Sequence, residues 1–195
     1  MVREMSEIAQ TDSGEKTGRA LKKVTNPEMN PDEFVAAMDE IEHLSDAGIY
    51  RESIAKLEKL FVDNEQYFEN DERFLDYCIL KGHSLYKMDK FEEAIEVFDV
   101  FIEMRPNSPN VMFLRAKCND YLDRLEDAEK DYKRVIQLDP EAPAASYFLG
   151  LVLISKGDIT GAKLAFEAAL KLNPDDELAT EQLKKLPSMD QNNTY

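Results

Sequence analysis

The side chains most able to do chemistry are few in this chain of 195 residues, which has two histidines and two cysteines. His43 and His83 lack the short spacing of a metal-binding pair, and Cys78 and Cys118 lack the spacing of a metal or redox motif. The 40 acidic residues make chance carboxylate pairs frequent, so such pairs indicate nothing. We therefore expect no enzyme activity, no catalytic residue, no metal and no cofactor. Both cysteines are expected to be buried free thiols on helices.

The charge of the chain is strongly negative and unevenly spread. The formal net charge is −16 at pH 7, and residues 31–74 hold 13 acids against 4 bases. Such a surface repels phosphate backbones, so nucleic acid is not an expected partner. The acidic region favours solubility or a basic surface on a partner protein.

No targeting or membrane segment is recognisable. The first 30 residues have no apolar stretch typical of a signal peptide. The longest apolar run, Tyr147 to Ile154, falls far short of the ~20 residues that a membrane span needs. We expect a cytoplasmic protein without membrane insertion.

A repeat with a period of 34 residues organises the chain from about residue 75 onward. Each copy has an alanine, an aromatic residue four positions later and a proline eight positions after that. A repeat of two helices cannot bury its own apolar face, so stacked copies share a core, and an all-α fold follows. The three sets are Ala94, Phe98 and Pro106; Ala128, Tyr132 and Pro140; and Ala162, Phe166 and Pro174.

The repeat also divides the chain into segments. The helical domain is expected over residues 30–186, and the flanking segments lack apolar periodicity and are expected to be disordered. The last helix is expected to cover the open end of the array, as terminal repeats require for solubility. The segments are a disordered arm over 1–29, a degenerate repeat over 34–67, an insertion over 68–74, repeats over 75–108, 109–142 and 143–176, a capping helix over 177–186, and a disordered tail over 187–195.

Helix starts can be predicted at several points. Asn30, followed by a proline and two acids, is typical of a capped helix N-terminus. Asp89 with Glu92, and Asp123 with Glu126, have the spacing of capping boxes that would begin the second helix of two repeats. Phe68, within the insertion, is expected to lie in a short turn packed on the array.

These residues closely resemble the tetratricopeptide repeat family. The match lies in Lys81-Gly82, Arg115-Ala116 and Leu149-Gly150, together with the three alanines and the closing prolines. It is strong over 75–176 and weak over 34–67. The resemblance implies a right-handed superhelix of antiparallel helix pairs. The first helices of these pairs would line a concave groove that binds a peptide, a helix or another domain of a partner protein. Function beyond that class does not follow from the fold.

The resemblance also implies which residues line the groove. An apolar and aromatic column would supply anchors, and His83, Lys87 and Lys117 would supply positive charge, which suggests a ligand with an apolar ridge and some acidic character. The groove residues are Met38, Glu42, Ser45, Ile79, His83, Tyr86, Lys87, Phe113, Lys117, Asp120, Tyr121, Tyr147, Leu151 and Ile154.

Some family members hold the terminal carboxylate of chaperone tails with Lys, Asn and Arg at set positions of the first helices. Those positions here hold residues such as Met38, Glu42, Ile79 and His83. A chaperone-tail adaptor of that type is therefore not expected.

The expected function is a non-catalytic protein–protein interaction scaffold, and two alternatives stay open. In one, exposed apolar groove or end surfaces pair two copies, giving a self-assembling homo-oligomer. In the other, the N-terminal arm occupies its own groove. Leu21 and Val24 lie among Arg19, Lys22 and Lys23, a combination that suits an apolar and acidic surface.

Overall fold

The structure is a computed structural model that describes residues 29–65, 68 and 71–187. Within these ranges every regular element is a helix, so the expected all-helical class is confirmed. The disordered arm and tail predicted at the two ends lie, apart from residues 29 and 187, outside the described residues. The helices are α1 Pro31–Asp46, α2 Tyr50–Asp63, α3 Asp71–Lys87, α4 Phe91–Met104, α5 Pro109–Tyr121, α6 Leu125–Leu138, α7 Pro143–Ser155, α8 Ile159–Leu172 and α9 Glu177–Lys185.

The chain divides into two compact units, with the boundary in the sequence between Asp89 and Lys90. Unit 1 contains α1 to α3, and unit 2 contains α4 to α9. None of the helices described is long and apolar enough to cross a membrane.

Helix α1 begins where the sequence predicts. The Asn30 side chain accepts a hydrogen bond from the Glu33 backbone N–H at 2.9 Å, and the Glu33 carboxylate accepts one from the Asn30 N–H at 3.2 Å. Pro31, the first helical residue, needs no N–H partner there. Two of the backbone donors left open at a helix N-terminus are thus satisfied by this reciprocal pair.

The core of unit 1 is an aromatic cluster. Phe61 lies at its centre, with its ring centroid 4.7 Å from that of Tyr77, 5.0 Å from that of Phe68 and 6.2 Å from that of Phe74. Phe68 also contacts Phe34 edge-on and is 1% exposed, so this residue of the predicted insertion packs as expected. Helix α3 begins at residue 71 and therefore takes in part of the 68–74 segment, which the sequence had placed before the repeat.

Unit 2 stacks helix pairs on a shared core. Ala116, Ala128 and Ala162 are fully buried in it, and the Phe166 ring lies where a Cβ on Gly150 would approach it to 2.6 Å. Small residues at these positions let helices of a pair come close. Helix α9 packs on the same core.

The capping boxes predicted at two turns are wrong. Asp89 and Asp123 adopt φ values of 59° and 56°, in the left-handed region, and lie outside the helices that follow. The residues that precede α4 and α6 are Lys90 and Arg124, and neither makes a side-chain capping bond. Each aspartate thus serves the turn rather than the next helix, because Asp tolerates the left-handed conformation better than most residues.

The corresponding turns elsewhere use glycine. Gly48 and Gly157 have φ values of 77° and 81° at the same turn position. After the second of these turns Asp158 does cap α8, because its carboxylate accepts from the Gly161 N–H at 2.9 Å. A left-handed residue in the turn is therefore the shared feature, and side-chain capping is not.

Ion pairs join successive helix pairs at one repeat position. In unit 1 Lys81 on α3 lies 2.9 Å from Glu58 on α2. In unit 2 Arg115 on α5, at the same repeat position, contacts Asp99 on α4. Arg115 also forms two hydrogen bonds of 2.7 Å to Asp131 on α6, a carboxylate that is buried. Arg115 therefore ties three helices of unit 2 together.

Candidate functional site

Unit 1 has a cavity of about 350 Å³ between α1 and α3, which we call the acidic cleft. Three of the predicted groove residues, Met38, Glu42 and Ile79, line it. Those three come from two helices that are separate in sequence, so the fold brings them together. The lining residues are Phe34, Val35, Met38, Asp39, Glu42, Arg73, Asp76, Ile79 and Leu80.

The apolar part of the acidic cleft is partly open to solvent. Val35, Met38 and Glu42 follow one face of α1, because residues three and four apart are neighbours on a helix. Val35 is 51% exposed and Ile79 is 40% exposed, whereas Phe34 is 2% exposed and joins the core beneath. Apolar side chains at this exposure mark a surface that another molecule can cover.

The charged part of the acidic cleft is negative. Asp39, Glu42 and Asp76 are exposed, and none of them forms an ion pair with any residue in the described ranges. Burial raises the pKa of Asp76 above its usual range, and the charge of Glu72 raises that pKa further. Arg73 is the basic residue of the lining, and its guanidinium lies 4.9 Å from the centre of the Phe34 ring.

His83, Tyr86 and Lys87 lie outside this lining, further along α3. His83 is half-buried, and burial lowers its pKa below 6.5, with Lys87 lowering it further against an opposing effect of Asp46. The positively charged form of His83 is therefore disfavoured in the fold. Lys87 is exposed, with Nζ 5.9 Å from the centre of the Tyr86 ring.

Ser45 is not a groove residue. It is 4% exposed, and its Oγ lies 3.3 Å from the Oγ of Ser84. A small polar pair thus fills the contact between α1 and α3, and the expectation for Ser45 is corrected.

Unit 2 carries a second surface, which we call the aromatic face. Its centre is Phe148, whose ring centroid lies 5.6 Å from that of Phe113 and 5.4 Å from that of Tyr147. The Lys117 Nζ lies 5.0 Å from the centre of the Phe148 ring. The predicted residues of this face are half-buried and pack partly on the core: Phe113, Lys117, Tyr147, Leu151 and Ile154.

Asp120 and Tyr121 end α5. Burial raises the pKa of Asp120, and nearby Asp123 adds to that rise while Lys117 opposes it. Tyr121 is 62% exposed, and its ring stacks on Phe91 with the centroids 4.7 Å apart. Tyr121 therefore presents an aromatic surface to solvent at the end of α5.

The two thiols are poor candidates for chemistry. Burial raises the pKa of Cys78 and of Cys118 to about 12, so both are protonated at neutral pH and are weak nucleophiles. Among the described residues, no three His, Cys, Asp or Glu side chains are grouped so as to hold a metal ion.

Sequence reasoning missed several lining residues. Val35 and Asp39 could have been found, because Val35 lies three residues before Met38 and Asp39 lies three residues before Glu42 on the same helix. Arg73 was missed because the repeat frame began at residue 75, whereas α3 begins at Asp71. Asp76 lies within the repeat but three residues before Ile79, at a position that the family resemblance does not assign to the groove. Phe148 is adjacent to Tyr147, and only the structure shows that it contacts Lys117.

Comparison with known proteins identifies tetratricopeptide repeats in this chain. Two tetratricopeptide repeat family models match, over residues 75–108 and 120–177. The Hsp70-Hsp90 organizing protein of Triticum aestivum is 23% identical over 172 residues, covering 87% of this chain. The chain spans only 29% of that relative's length.

Two solved structures are similar in fold. MamA matches with a TM-score of 0.68 and 21% identity, over 77% of this chain and 78% of that chain. The second TPR domain of human RPAP3, solved in complex with the HSP70 peptide SGPTIEEVD, matches with a TM-score of 0.52 and 30% identity. That match covers 54% of this chain and 88% of that chain.

Proposed function

Because the chain belongs to the tetratricopeptide repeat family, we propose that it is a non-catalytic protein-interaction scaffold. It binds a peptide or helical segment of a partner protein. The family resemblance supports binding in general, and the RPAP3 domain in complex with a peptide is a similar structure. The acidic cleft supports a more specific proposal for unit 1.

The single observation that carries the proposal is the composition of the acidic cleft. Exposed Val35 and Ile79 provide an apolar surface, and Asp39, Glu42 and Asp76 add negative charge beside it. An amphipathic segment with apolar anchors and adjacent Lys or Arg residues is complementary to both features. We therefore assign a basic, apolar segment as the ligand of unit 1.

This assignment differs in sign from the acidic ligand suggested by the sequence. Burial lowers the pKa of His83 and so disfavours its charged form, and the cleft presents more carboxylates than cations. A peptide such as SGPTIEEVD, which RPAP3 holds, carries acidic residues that this cleft would repel.

The test is affinity capture from a native lysate with a variant altered only in the acidic cleft. Val35→Lys with Ile79→Lys changes two side chains that are already half exposed, so the fold should be retained, which circular dichroism checks. The matched control is Val62→Lys with Leu164→Lys, two apolar residues that are 53% and 59% exposed and lie outside the cleft.

The expected result is a partner that wild type and control retain and the cleft variant loses. With the purified partner, we expect at least a tenfold weaker Kd, or about 1.4 kcal/mol. A partner that binds the cleft variant normally would refute the cleft assignment and direct attention to the aromatic face. Recovery of the chain alone would favour self-assembly over the scaffold role.

A further inference from the structure

The acidic cleft begins close to the point where the chain enters α1. Phe34 and Val35, in the first turn of α1, line one part of it. Met29, which precedes the cap of α1, lines a different pocket between α1 and α2, so a segment before it must pass around the start of α1 to reach the cleft.

The sequence before α1 contains a segment that is complementary to the acidic cleft, because it combines positive charge with apolar residues. Residues 16–24, which we call the basic segment, contain Lys16, Arg19, Lys22 and Lys23 and no acid. The same segment contains leucine and valine, at positions 21 and 24. Its charge is opposite to that of the cleft carboxylates, and its apolar residues are three positions apart, as on one face of a helix.

The connection between the two is long enough. The chain from residue 24 to residue 30 can extend to about 20 Å, at roughly 3.5 Å per residue. The part of α1 that lines the acidic cleft runs from Phe34 to Glu42, which lie about 6 and about 18 Å along the helix from Asn30 at 1.5 Å per residue. The connection is therefore long enough for the basic segment to reach the cleft in the same molecule.

We propose that the basic segment occupies the acidic cleft of its own molecule. Leu21 and Val24 cover the apolar surface around Met38 and Ile79, and the bases face the carboxylates. The inference rests on the proposed role of the cleft as a binding surface. Because a short connection gives an effective concentration in the millimolar range, even a weak contact competes with a partner. The partner must then displace the basic segment, and its own binding segment must also combine basic and apolar residues.

The direct test is carbodiimide cross-linking of the full chain at low concentration, with mass-spectrometric mapping. The reagent condenses a lysine amine with a carboxylate to an amide, and the carbodiimide takes up the water as a urea. We expect Lys22 and Lys23 to join Asp39, Glu42 or Asp76. Mixing unlabelled and nitrogen-15-labelled protein distinguishes contacts within one molecule from contacts between two, because only the latter give mixed-label products.

The background yield of cross-linking is measured on exposed acids outside the cleft, Glu92 and Glu96 on α4. Lys184 and Lys185, which are also exposed and adjacent, are the matched lysine pair. Cross-links from the basic segment to the cleft should exceed those to the two α4 acids at least fivefold, with a single isotope in each product. Equal yields would overturn the proposal, and mixed-label products would replace it with docking between two copies.

A binding measurement gives an independent answer. The probe is a labelled peptide of residues 16–24, titrated into the full-length protein and followed by fluorescence anisotropy. The Lys22→Glu/Lys23→Glu variant, whose own segment can no longer compete, should bind the probe at least fivefold more tightly than wild type. Lys184→Glu/Lys185→Glu has the same net charge and should behave as wild type.

Equal probe affinity for all three proteins would overturn the proposal, as would the absence of binding. Neither result affects the scaffold proposal, which depends on whether a captured partner is lost from Val35→Lys/Ile79→Lys. If the cleft variant loses the partner but the probe binds all three proteins equally, the cleft is a binding site for the partner and the basic segment does not occupy it.

Discussion

Replacing Arg115 by alanine is the change most expected to destabilise unit 2 without touching a proposed binding surface. The guanidinium donates two hydrogen bonds of 2.7 Å to the Asp131 carboxylate and also pairs with Asp99. Asp131 is 4% exposed, whereas the Asp99 side chain is 51% exposed. Removal of the arginine therefore leaves one carboxylate buried without its partner and returns the other to water.

The magnitude follows from that burial. Breaking a buried ion pair by removing one partner costs about 3–5 kcal/mol, because the remaining charge is desolvated and unpaired. The Arg115 side chain is 20% exposed, so water can enter the space that the alanine variant leaves and can solvate Asp131 in part. We expect a loss of about 3 kcal/mol in the free energy of unfolding, a large share of the ~5–15 kcal/mol typical of a domain.

Urea unfolding followed by far-UV circular dichroism measures this loss, because the chain has no tryptophan. The control is Arg134→Ala, whose guanidinium bonds to Asn107 and Gln137 on the surface. A surface change of that kind should cost less than about 0.5 kcal/mol. The slope of the free energy of unfolding against urea concentration must be equal in both variants, because a change of slope would show that the repeat array no longer unfolds cooperatively.

A double variant separates charge burial from lost packing. Arg115→Met with Asp131→Leu removes both charges and keeps most of the volume, so stability should return to within about 1 kcal/mol of wild type. If Arg115→Ala costs no more than Arg134→Ala, the pair does not hold the three helices together. If the double variant is as unstable as Arg115→Ala, desolvation of Asp131 is not the cause of the loss.

Three further outcomes are expected. Asp158→Ala should lower the free energy of unfolding in urea by about 1 kcal/mol, because it removes a side-chain cap. Arg124→Ala, at the same turn position of the preceding repeat, should be near neutral. Equal losses in the two variants would contradict the capping argument. Cys78 and Cys118 should resist a thiol reagent at pH 8 until the protein is denatured, since burial raises both pKa values to about 12; rapid labelling of the native protein would contradict this. The lowered pKa of His83 means that the folded protein binds this proton less tightly than the unfolded chain, so stability falls as pH drops through about 6.5. His83→Gln should reduce that loss, and an unchanged pH profile would count against the assigned burial.

The helical fold could be predicted because its determinants are local and repeated. Ala116, Ala128 and Ala162 are fully buried where the period placed them, since only small residues permit close approach of paired helices. The start of α1 followed from Asn30 and Pro31 in the same way. Each of these features depends on residue type at a fixed position and needs no knowledge of distant contacts.

The turns and the acidic cleft could not be predicted in full, for two reasons. Asp89 has the type and spacing of a helix cap, and only its φ of 59° shows that the turn uses it instead. The cleft also depends on the extra turn at the start of α3, which supplies Arg73 to the lining. The sequence could identify exposed bases such as Lys87, but the lowered pKa of His83 follows from its burial in the fold.

The ion pairs between successive helix pairs bear on the order of the repeats. Lys81 and Arg115 share one repeat position, and both reach back to an acid on the preceding helix. At the next repeat that position holds Leu149, and Lys133 occupies the position that corresponds to Asp99. The copies are therefore no longer interchangeable, although they share a period. Duplicating or permuting them would place Leu149 against an acid or Arg115 against a lysine, so each repeat is matched to its own neighbours and the array has one favourable order.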